Sequence, residues 1–108
     1  MSDFYILAAD RKPVKVDLMT WARSTQEPAW NRVAETMIGD AKVSTVFLGL
    51  DHAVVVAGPP LLFETMVFGG QLEGHQDRCS TWEQAEAMHK AACERVVIGL
   101  AVRAEETP

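Results

Sequence analysis

The stretch STVFLGLDH at residues 44–52, followed after a loop by LLFETMVFGG at residues 61–70, decides the fold of this 108-residue chain. Both runs are rich in the β-branched and aromatic residues that favour strands. Residues 43–50 are almost wholly apolar, which predicts a central strand that is covered on both faces for part of its length. Residues 61–68 are expected to pair with that strand, and the double glycine at 69–70 ends the second run.

Shorter signals precede this pair of strands. They predict a hairpin with strands at residues 4–8 and Pro13–Val16, a short helix Leu18–Ser24 capped by Asp17, and an extended segment over Arg32–Ile38. Within the extended segment, Val33, Glu35 and Met37 are predicted to share one face, because side chains alternate along a strand.

The last predicted element is a long helix that begins near Ser80 or Thr81. Both Ser80 with Glu83 and Thr81 with Gln84 fit the spacing of a capping box. The predicted buried stripe of this helix comprises Trp82, Ala85, His89, Ala92, Val96 and Gly99. We expect residues 71–79 to be a polar connection, and the helix to fray after Gly99.

These elements predict an α+β fold in the order β-β-α-β-β-β-α. We expect a single antiparallel sheet of about five strands with two helices packed on one face, because this arrangement buries the tryptophans and the apolar side of the long helix. Residues 1–108 are predicted to form one domain, with residues 104–108 as a flexible tail.

The charge and hydropathy of the chain argue against two classes of function, nucleic-acid binding and membrane insertion. The net charge of −5 disfavours binding to a phosphate backbone, which requires clustered cations. No apolar run approaches the length that crosses a bilayer, and the N-terminus has no basic segment leading into an apolar one, so we expect a cytoplasmic protein without membrane association. Neither Cys79 nor Cys93 has the spacing of a metal ligand, and no cofactor or metal is predicted.

Two pairs of residues could carry acid–base chemistry, although ordinary structural roles explain both pairs. Glu35 and Glu64 are expected on the strands that flank residues 43–50, where two sheltered carboxylates could act as acid and base. Asp51 and His52 follow the central strand and form the minimum unit of a general base. Outward-facing strand residues and a turn-forming Asp are the simpler interpretations, so no catalytic residue is assigned.

A polar segment and an apolar segment are candidate binding sites. His75 and Arg78 come just before the last helix, where backbone N–H groups attract anions, and with Glu64, Asp51 and His52 they are the predicted ligand-binding residues. The usual alternative is a helix end that its own cap already satisfies. The loop at residues 53–57 is apolar, and we predict its valines as an interaction surface: Val54, Val55 and Val56.

Three sequence words carry a resemblance to a known family. STVFLGLDH at 44–52, PPLLFETMVFGG at 59–70 and STWEQA at 80–85 together resemble a family of small uncharacterised proteins carried by bacteriophages and prophages. The resemblance extends from Arg32 onward, and it implies no activity or site residue. Relatives tend to have a polar or glycine-rich loop at 53–57 and an aromatic residue at position 79, where this chain has apolar residues and Cys79.

This resemblance implies a phage-type accessory protein that works by binding a protein of the host or the phage in the host cytoplasm. Inhibition of a host defence or regulatory protein is one form of that role. We expect a homodimer, formed through a sheet edge or the apolar loop. The alternatives are a small-ligand or nucleotide-binding domain that sequesters its ligand and, less favoured, a small hydrolase.

Overall fold

The computed structural model describes residues 3–51 and 58–106, with side chains through Val102. Its elements follow the order β-β-α-β-β-β-β-α: β1 Phe4–Leu7, β2 Pro13–Val16, α1 Leu18–Ser24, β3 Arg32–Ile38, β4 Ala41–Phe47, β5 Phe63–Phe68, β6 Gln76–Cys79 and α2 Trp82–Glu106. The fold is therefore α+β, as predicted.

The strands form two antiparallel sheets, not the predicted single sheet of about five strands. β1 and β2 form one hairpin, while β3, β4, β5 and β6 pair in chain order in a four-stranded sheet. Within the described residues, the backbone of the hairpin pairs with the larger sheet's chain beyond the end of β4, at an isolated bridge between Phe4 and Leu50. Gly49 has a φ of 73°, so the chain leaves the extended conformation there and β4 ends before it can pair with β1 as a regular ladder.

The second difference is β6, which lies within the segment predicted to be a polar connection. Gln76–Cys79 pairs antiparallel with β5, with Arg78 opposite Glu64 and Gln76 opposite Met66. The strand lies at the edge of the sheet and three of its four residues are exposed, so it has no apolar alternation to identify it. The predicted pairing of β4 with β5 is confirmed.

The helix-facing side of the four-stranded sheet forms the core, in three layers. An aliphatic layer contains Val43 and Val67, and an aromatic layer contains Phe47 and Phe63. Between them Thr45 pairs with Thr65, and both are fully buried. Of the two helices, α2 covers this face, whereas α1 packs on β1. The prediction of two helices on one face is therefore wrong, because α1 follows the hairpin away from the larger sheet.

A β-bulge changes the predicted faces of β3. Arg32 lies opposite Val46, but Ala34 lies opposite Thr45, so Val33 is an extra residue. Val33 packs with the aromatic layer, whereas Glu35 and Met37 point to the other side of the sheet. The predicted grouping of Val33 with Glu35 and Met37 is wrong for Val33.

Of the two capping boxes predicted for α2, the one that forms joins Thr81 and Gln84. The Gln84 amide N–H donates to Thr81 Oγ1 at 3.1 Å, and the Thr81 amide N–H donates back to Gln84 Oε1 at 3.2 Å. Buried Ala85, Ala92 and Val96 confirm the predicted stripe. The helix continues to Glu106, past the expected fraying point at Gly99. None of the helices in the described residues is long and apolar enough to cross a membrane.

A chain of aromatic rings joins the hairpin to the core. Successive ring centroids lie 5.2 to 6.4 Å apart along the series Phe4, Trp21, Trp30, Phe47, Phe63 and Trp82. The Arg11 guanidinium in the hairpin turn lies 4.8 Å from the Trp82 ring centroid. These six rings, here called the aromatic ladder, pack the hairpin against the four-stranded sheet. Within the described residues, the backbones of the two sheets pair at one bridge.

Candidate functional site

The face of the four-stranded sheet that points away from α2, here called the open face, is not covered by any other element of the described residues. Its side chains alternate with the buried ones, as an antiparallel sheet with one solvated side requires. It presents Arg32, Glu35 and Met37 from β3, Lys42, Ser44 and Val46 from β4, Glu64, Met66 and Phe68 from β5, and Gln76 and Arg78 from β6. Two of its apolar members, Met37 and Phe68, are 62% and 46% exposed.

Four of the five charged side chains on the open face form ion pairs within the chain, and Lys42 lies over the Phe68 ring instead. Arg78 Nε donates to Glu64 Oε2 at 3.0 Å, and Gln76 Nε2 donates to the same oxygen at 2.5 Å. Arg32 Nε lies 3.8 Å from Glu35 Oε2. These pairs lower the cost of covering the face, because a paired charge loses less on desolvation than an isolated one.

The two glutamates that were considered as an acid–base pair share this face but stand apart. Glu35 lies opposite Ser44 and Glu64 lies opposite Val46, on strands either side of β4. Two strand spacings across and two residues along separate their Cα atoms by about 12 Å. Each carboxylate instead has its own basic partner, so the arrangement does not form a proton-sharing pair.

The predicted ligand-binding residues fall into separate places. Glu64 and Arg78 meet on the open face. His75 Nε2 lies 3.0 Å from Asp77 Oδ2, and Asp77 is opposite Thr65, so this pair belongs to the α2 side of the sheet. The sheet itself therefore separates His75 from Glu64 and Arg78, and no single pocket unites the three.

Asp51 closes a loop. The Leu61 amide N–H donates to Asp51 Oδ1 at 2.9 Å, which joins the two ends of the segment that runs from β4 to β5. His52, Val54, Val55 and Val56 lie outside the described residues, so the predicted interaction surface on the apolar loop stays a prediction.

A buried polar network at the centre of the core was not predicted. His89 Nδ1 lies 2.7 Å from Thr45 Oγ1, and His89 Nε2 lies 2.8 Å from Thr36 Oγ1. Thr45 Oγ1 in turn lies 2.5 Å from Thr65 Oγ1. His89 bonds these two threonine hydroxyls because β3 and β4 present them beneath α2.

The position of His89 favours a structural role over catalysis. Its residue is only 8% exposed, and burial lowers the pKa of the imidazole, which keeps the ring neutral. Hydroxyls can donate or accept, so Thr36 and Thr45 satisfy both ring nitrogens in either tautomer. Within the described part of the chain, the imidazole bonds hydroxyls and not a carboxylate that would orient it as a base. The network joins α2 to the middle of the sheet.

A cavity of about 250 Å³ lies between the hairpin, α1 and the aromatic ladder. Its lining comprises Ile6, Leu7, Ser24, Glu27, Trp30 and Phe47, and none of the predicted ligand-binding residues is among them. The helix start near Arg78 is occupied by its own cap, since Gln84 Oε1 accepts from both Ser80 and Thr81. Among the side chains that the structure describes, in residues 3–51 and 58–102, no three or more His, Cys, Asp or Glu form a group that could hold a metal ion.

Comparison with known proteins adds no assignment: no family model, curated protein or solved structure matches this chain.

Proposed function

We propose that this protein is a protein-interaction module that binds its partner through the open face. The observation that carries the proposal is an antiparallel sheet with α2 on one side and, within the described residues, no element on the other. The uncovered side combines exposed apolar side chains with internally paired charges. A surface of this composition can be exposed to water in the free protein and buried in a complex.

The chemistry of the described residues supports binding more than turnover. The one histidine in the core is buried and hydrogen-bonded to threonines, and Glu35 and Glu64 are each paired with arginine. His75 is paired with Asp77, whose side chain is 52% exposed. These groups hold the fold together at separate points and do not converge on one substrate position.

The partner we propose is a host or phage protein. The resemblance of residues 44–52, 59–70 and 80–85 to a phage and prophage family supports this proposal. A role in inhibiting a host defence or regulatory protein fits a small module that acts by covering a surface of its target.

The test is a comparison of captured proteins among matched variants. Val46→Lys places a charge in the centre of the open face, between Arg32 and Glu64 on the two neighbouring strands. Met19→Lys is the control, because Met19 is 62% exposed on α1, away from the open face. Each tagged protein is incubated with a lysate of the natural host, and the bound proteins are quantified by mass spectrometry.

We expect a protein that wild type and Met19→Lys retain equally to be depleted at least tenfold by Val46→Lys, a change of about 1.4 kcal/mol or more in binding free energy. Circular dichroism must show the same secondary structure in all three. An identical set of captured proteins for a folded Val46→Lys would refute the open face as the binding surface.

Small-molecule binding is the second candidate, and the cavity beside Trp30 is the observation that favours it. Its apolar lining with a single carboxylate, Glu27, suits a small ligand that has an apolar body and a cationic group. A Trp30→Ala variant that keeps every ligand-induced thermal shift of the wild type would remove this candidate.

A further inference from the structure

We infer that the cavity beside Trp30 binds an apolar amino acid residue that carries a free amino group and an amide carbonyl, as the first residue of a peptide does. The cavity is separate from the open face, because Phe47, which lines it, belongs to the buried side of the sheet. The inference rests on the second candidate function, since it names the chemical class of the ligand. It follows from a gap in backbone pairing, the apolar walls and one carboxylate.

The cavity occupies the position of a backbone pair that does not form. The Tyr5 amide N–H donates to the Gly49 carbonyl oxygen at 2.9 Å, so the next residues to pair along these two segments would be Leu7 and Phe47. The chain turns away at Gly49, and the Phe47 amide N–H donates instead to the Asn31 carbonyl oxygen at 2.7 Å. Leu7 and Phe47 both line the cavity that this divergence leaves.

The main-chain groups of Leu7 point toward this gap. The Ala8 amide N–H donates to the Lys12 carbonyl oxygen at 3.0 Å, and successive residues of an antiparallel strand point their hydrogen-bonding groups in opposite directions. The Leu7 N–H and C=O therefore point away from β2, where Leu7 lies opposite Pro13, a residue without an N–H. Outside the hairpin, no hydrogen bond from a described residue reaches either group. A ligand that has both a carbonyl and an N–H can bond both.

The walls and the volume set the size of the ligand. Ile6, Leu7, Trp30 and Phe47 supply apolar surface to a volume of about 250 Å³. Since a cavity of about 150 Å³ holds a benzene ring, this volume takes about ten non-hydrogen atoms. A leucine residue together with its amide group has that size.

Glu27 determines the charge of the ligand. It is the one charged residue among those that line the cavity, and its carboxylate forms no hydrogen bond or ion pair with the described residues. Its backbone is held in place, because its N–H donates to the Ser24 carbonyl oxygen at 3.3 Å and its carbonyl oxygen accepts from the Trp30 N–H at 3.2 Å. A carboxylate attracts an ammonium group and repels another carboxylate. The ligand is therefore an amine whose carboxyl group is in amide linkage, not a free amino acid.

Two-dimensional proton–nitrogen NMR of the labelled protein tests this inference, because it observes the Leu7 amide and the Trp30 indole separately. The probe is leucinamide at up to about 50 mM, since a ligand of about ten non-hydrogen atoms binds with a dissociation constant on the order of 1 mM. We expect both signals to shift along one saturating curve. The Leu7 amide proton should move downfield as it gains a hydrogen bond.

Two related probes separate the contributions of charge and amide. N-acetyl-leucinamide lacks the ammonium group and cyclohexylamine lacks the carbonyl, so each should bind about threefold or more weakly than leucinamide. A Leu-Ala-Ala peptide identifies the source of the ligand. Tighter binding than that of leucinamide assigns the cavity to a peptide N-terminus, and weaker binding assigns it to a small amino amide.

Glu27→Gln is the decisive variant, because the exposed position of Glu27 favours retention of the fold. It should raise the dissociation constant of leucinamide about threefold or more. Glu86→Gln removes an exposed carboxylate from α2 and is the matched control, which should leave the dissociation constant unchanged.

The inference is overturned by a Leu7 amide signal that leucinamide does not shift, or by N-acetyl-leucinamide or cyclohexylamine binding as tightly as leucinamide. Equal dissociation constants for Glu27→Gln and Glu86→Gln would also overturn it. Cyclohexylamine bound as tightly as leucinamide would leave the cavity as a site for cations, so the second candidate function would stand without the amide. The open face is judged separately, by the capture experiment.

Discussion

Replacing Thr45 with valine tests the buried network directly. The substitution keeps the shape of the side chain and removes a hydroxyl that lies 2.5 Å from Thr65 Oγ1 and 2.7 Å from His89 Nδ1. Two buried polar groups then lose their partner, and each unsatisfied group costs about 1 to 3 kcal/mol. Allowing for relaxation, we expect the free energy of unfolding to fall by about 2 to 4 kcal/mol.

Thr65→Val is the matched comparison. It removes only the hydrogen bond to Thr45, whose hydroxyl still has His89 as a partner, so the expected loss is about 1 kcal/mol. Urea unfolding followed by far-UV circular dichroism measures both. At an m-value of about 1.5 kcal/mol/M, the midpoint for Thr45→Val should fall by about 1.3 to 2.7 M.

The double variant completes the test, because contacting residues are not additive. In the Thr65→Val background, Thr45→Val loses only its bond to His89, so the double variant should be about 1 kcal/mol more stable than the sum of the single changes predicts. The reasoning fails if Thr65→Val destabilises as much as Thr45→Val, or if the two effects simply add.

Two further predictions concern protonation and backbone geometry. Burial lowers the folded-state pKa of His89 below its ordinary 6.5, so the unfolded chain binds the proton more readily than the folded one. The contribution of His89 to the free energy of unfolding should therefore be constant above pH 6.5. Below pH 6.5 the free energy of unfolding should decrease by at most about 1.4 kcal/mol per pH unit. Urea midpoints between about pH 5.5 and about pH 7.5 measure this, and greater stability on acidification would contradict it. Gly69→Ala should destabilise by about 2 kcal/mol or more, since φ is 81° and a Cβ would lie 2.5 Å from the Asp40 carbonyl oxygen. Gly74→Ala is the control at a φ of 87° with nothing within 4 Å, and thermal denaturation should show a clearly smaller loss; equal losses would argue against the contact with Asp40.

The parts of the fold predicted from sequence were those whose cause is local. Asp17 caps α1 through a hydrogen bond from the Thr20 amide N–H, and Thr81 caps α2 through its exchange with Gln84. Each of these depends on residues within a few positions of one another.

The parts that escaped prediction depend on distant neighbours. β6 is a strand because β5 offers it a ladder, and its own residues carry no apolar alternation. The extra residue at Val33 depends on the register against β4. The residues of β6 and β3 alone do not indicate which strand each one pairs with or in which register.

The site was predictable only in fragments. Glu64 and Arg78 were identified, but their contact required β6, and His75 was grouped with them although it lies on the other side of the sheet. One signal for the buried network was present: Thr45 and Thr65 each occupy the middle of an apolar alternation, a position that burial normally reserves for apolar side chains. A buried hydroxyl in such a series calls for a partner, and His89 on the apolar stripe of α2 supplies it.

The aromatic ladder has a spectroscopic consequence. All three tryptophans of the chain, Trp21, Trp30 and Trp82, belong to it, while the aliphatic layer around Val43 and Val67 contains no ring. Tryptophan fluorescence therefore reports on the packing of the aromatic layer and does not report on the aliphatic layer. If the C-terminal part of α2 detached and exposed the aliphatic layer, the tryptophan emission spectrum would remain that of the native protein.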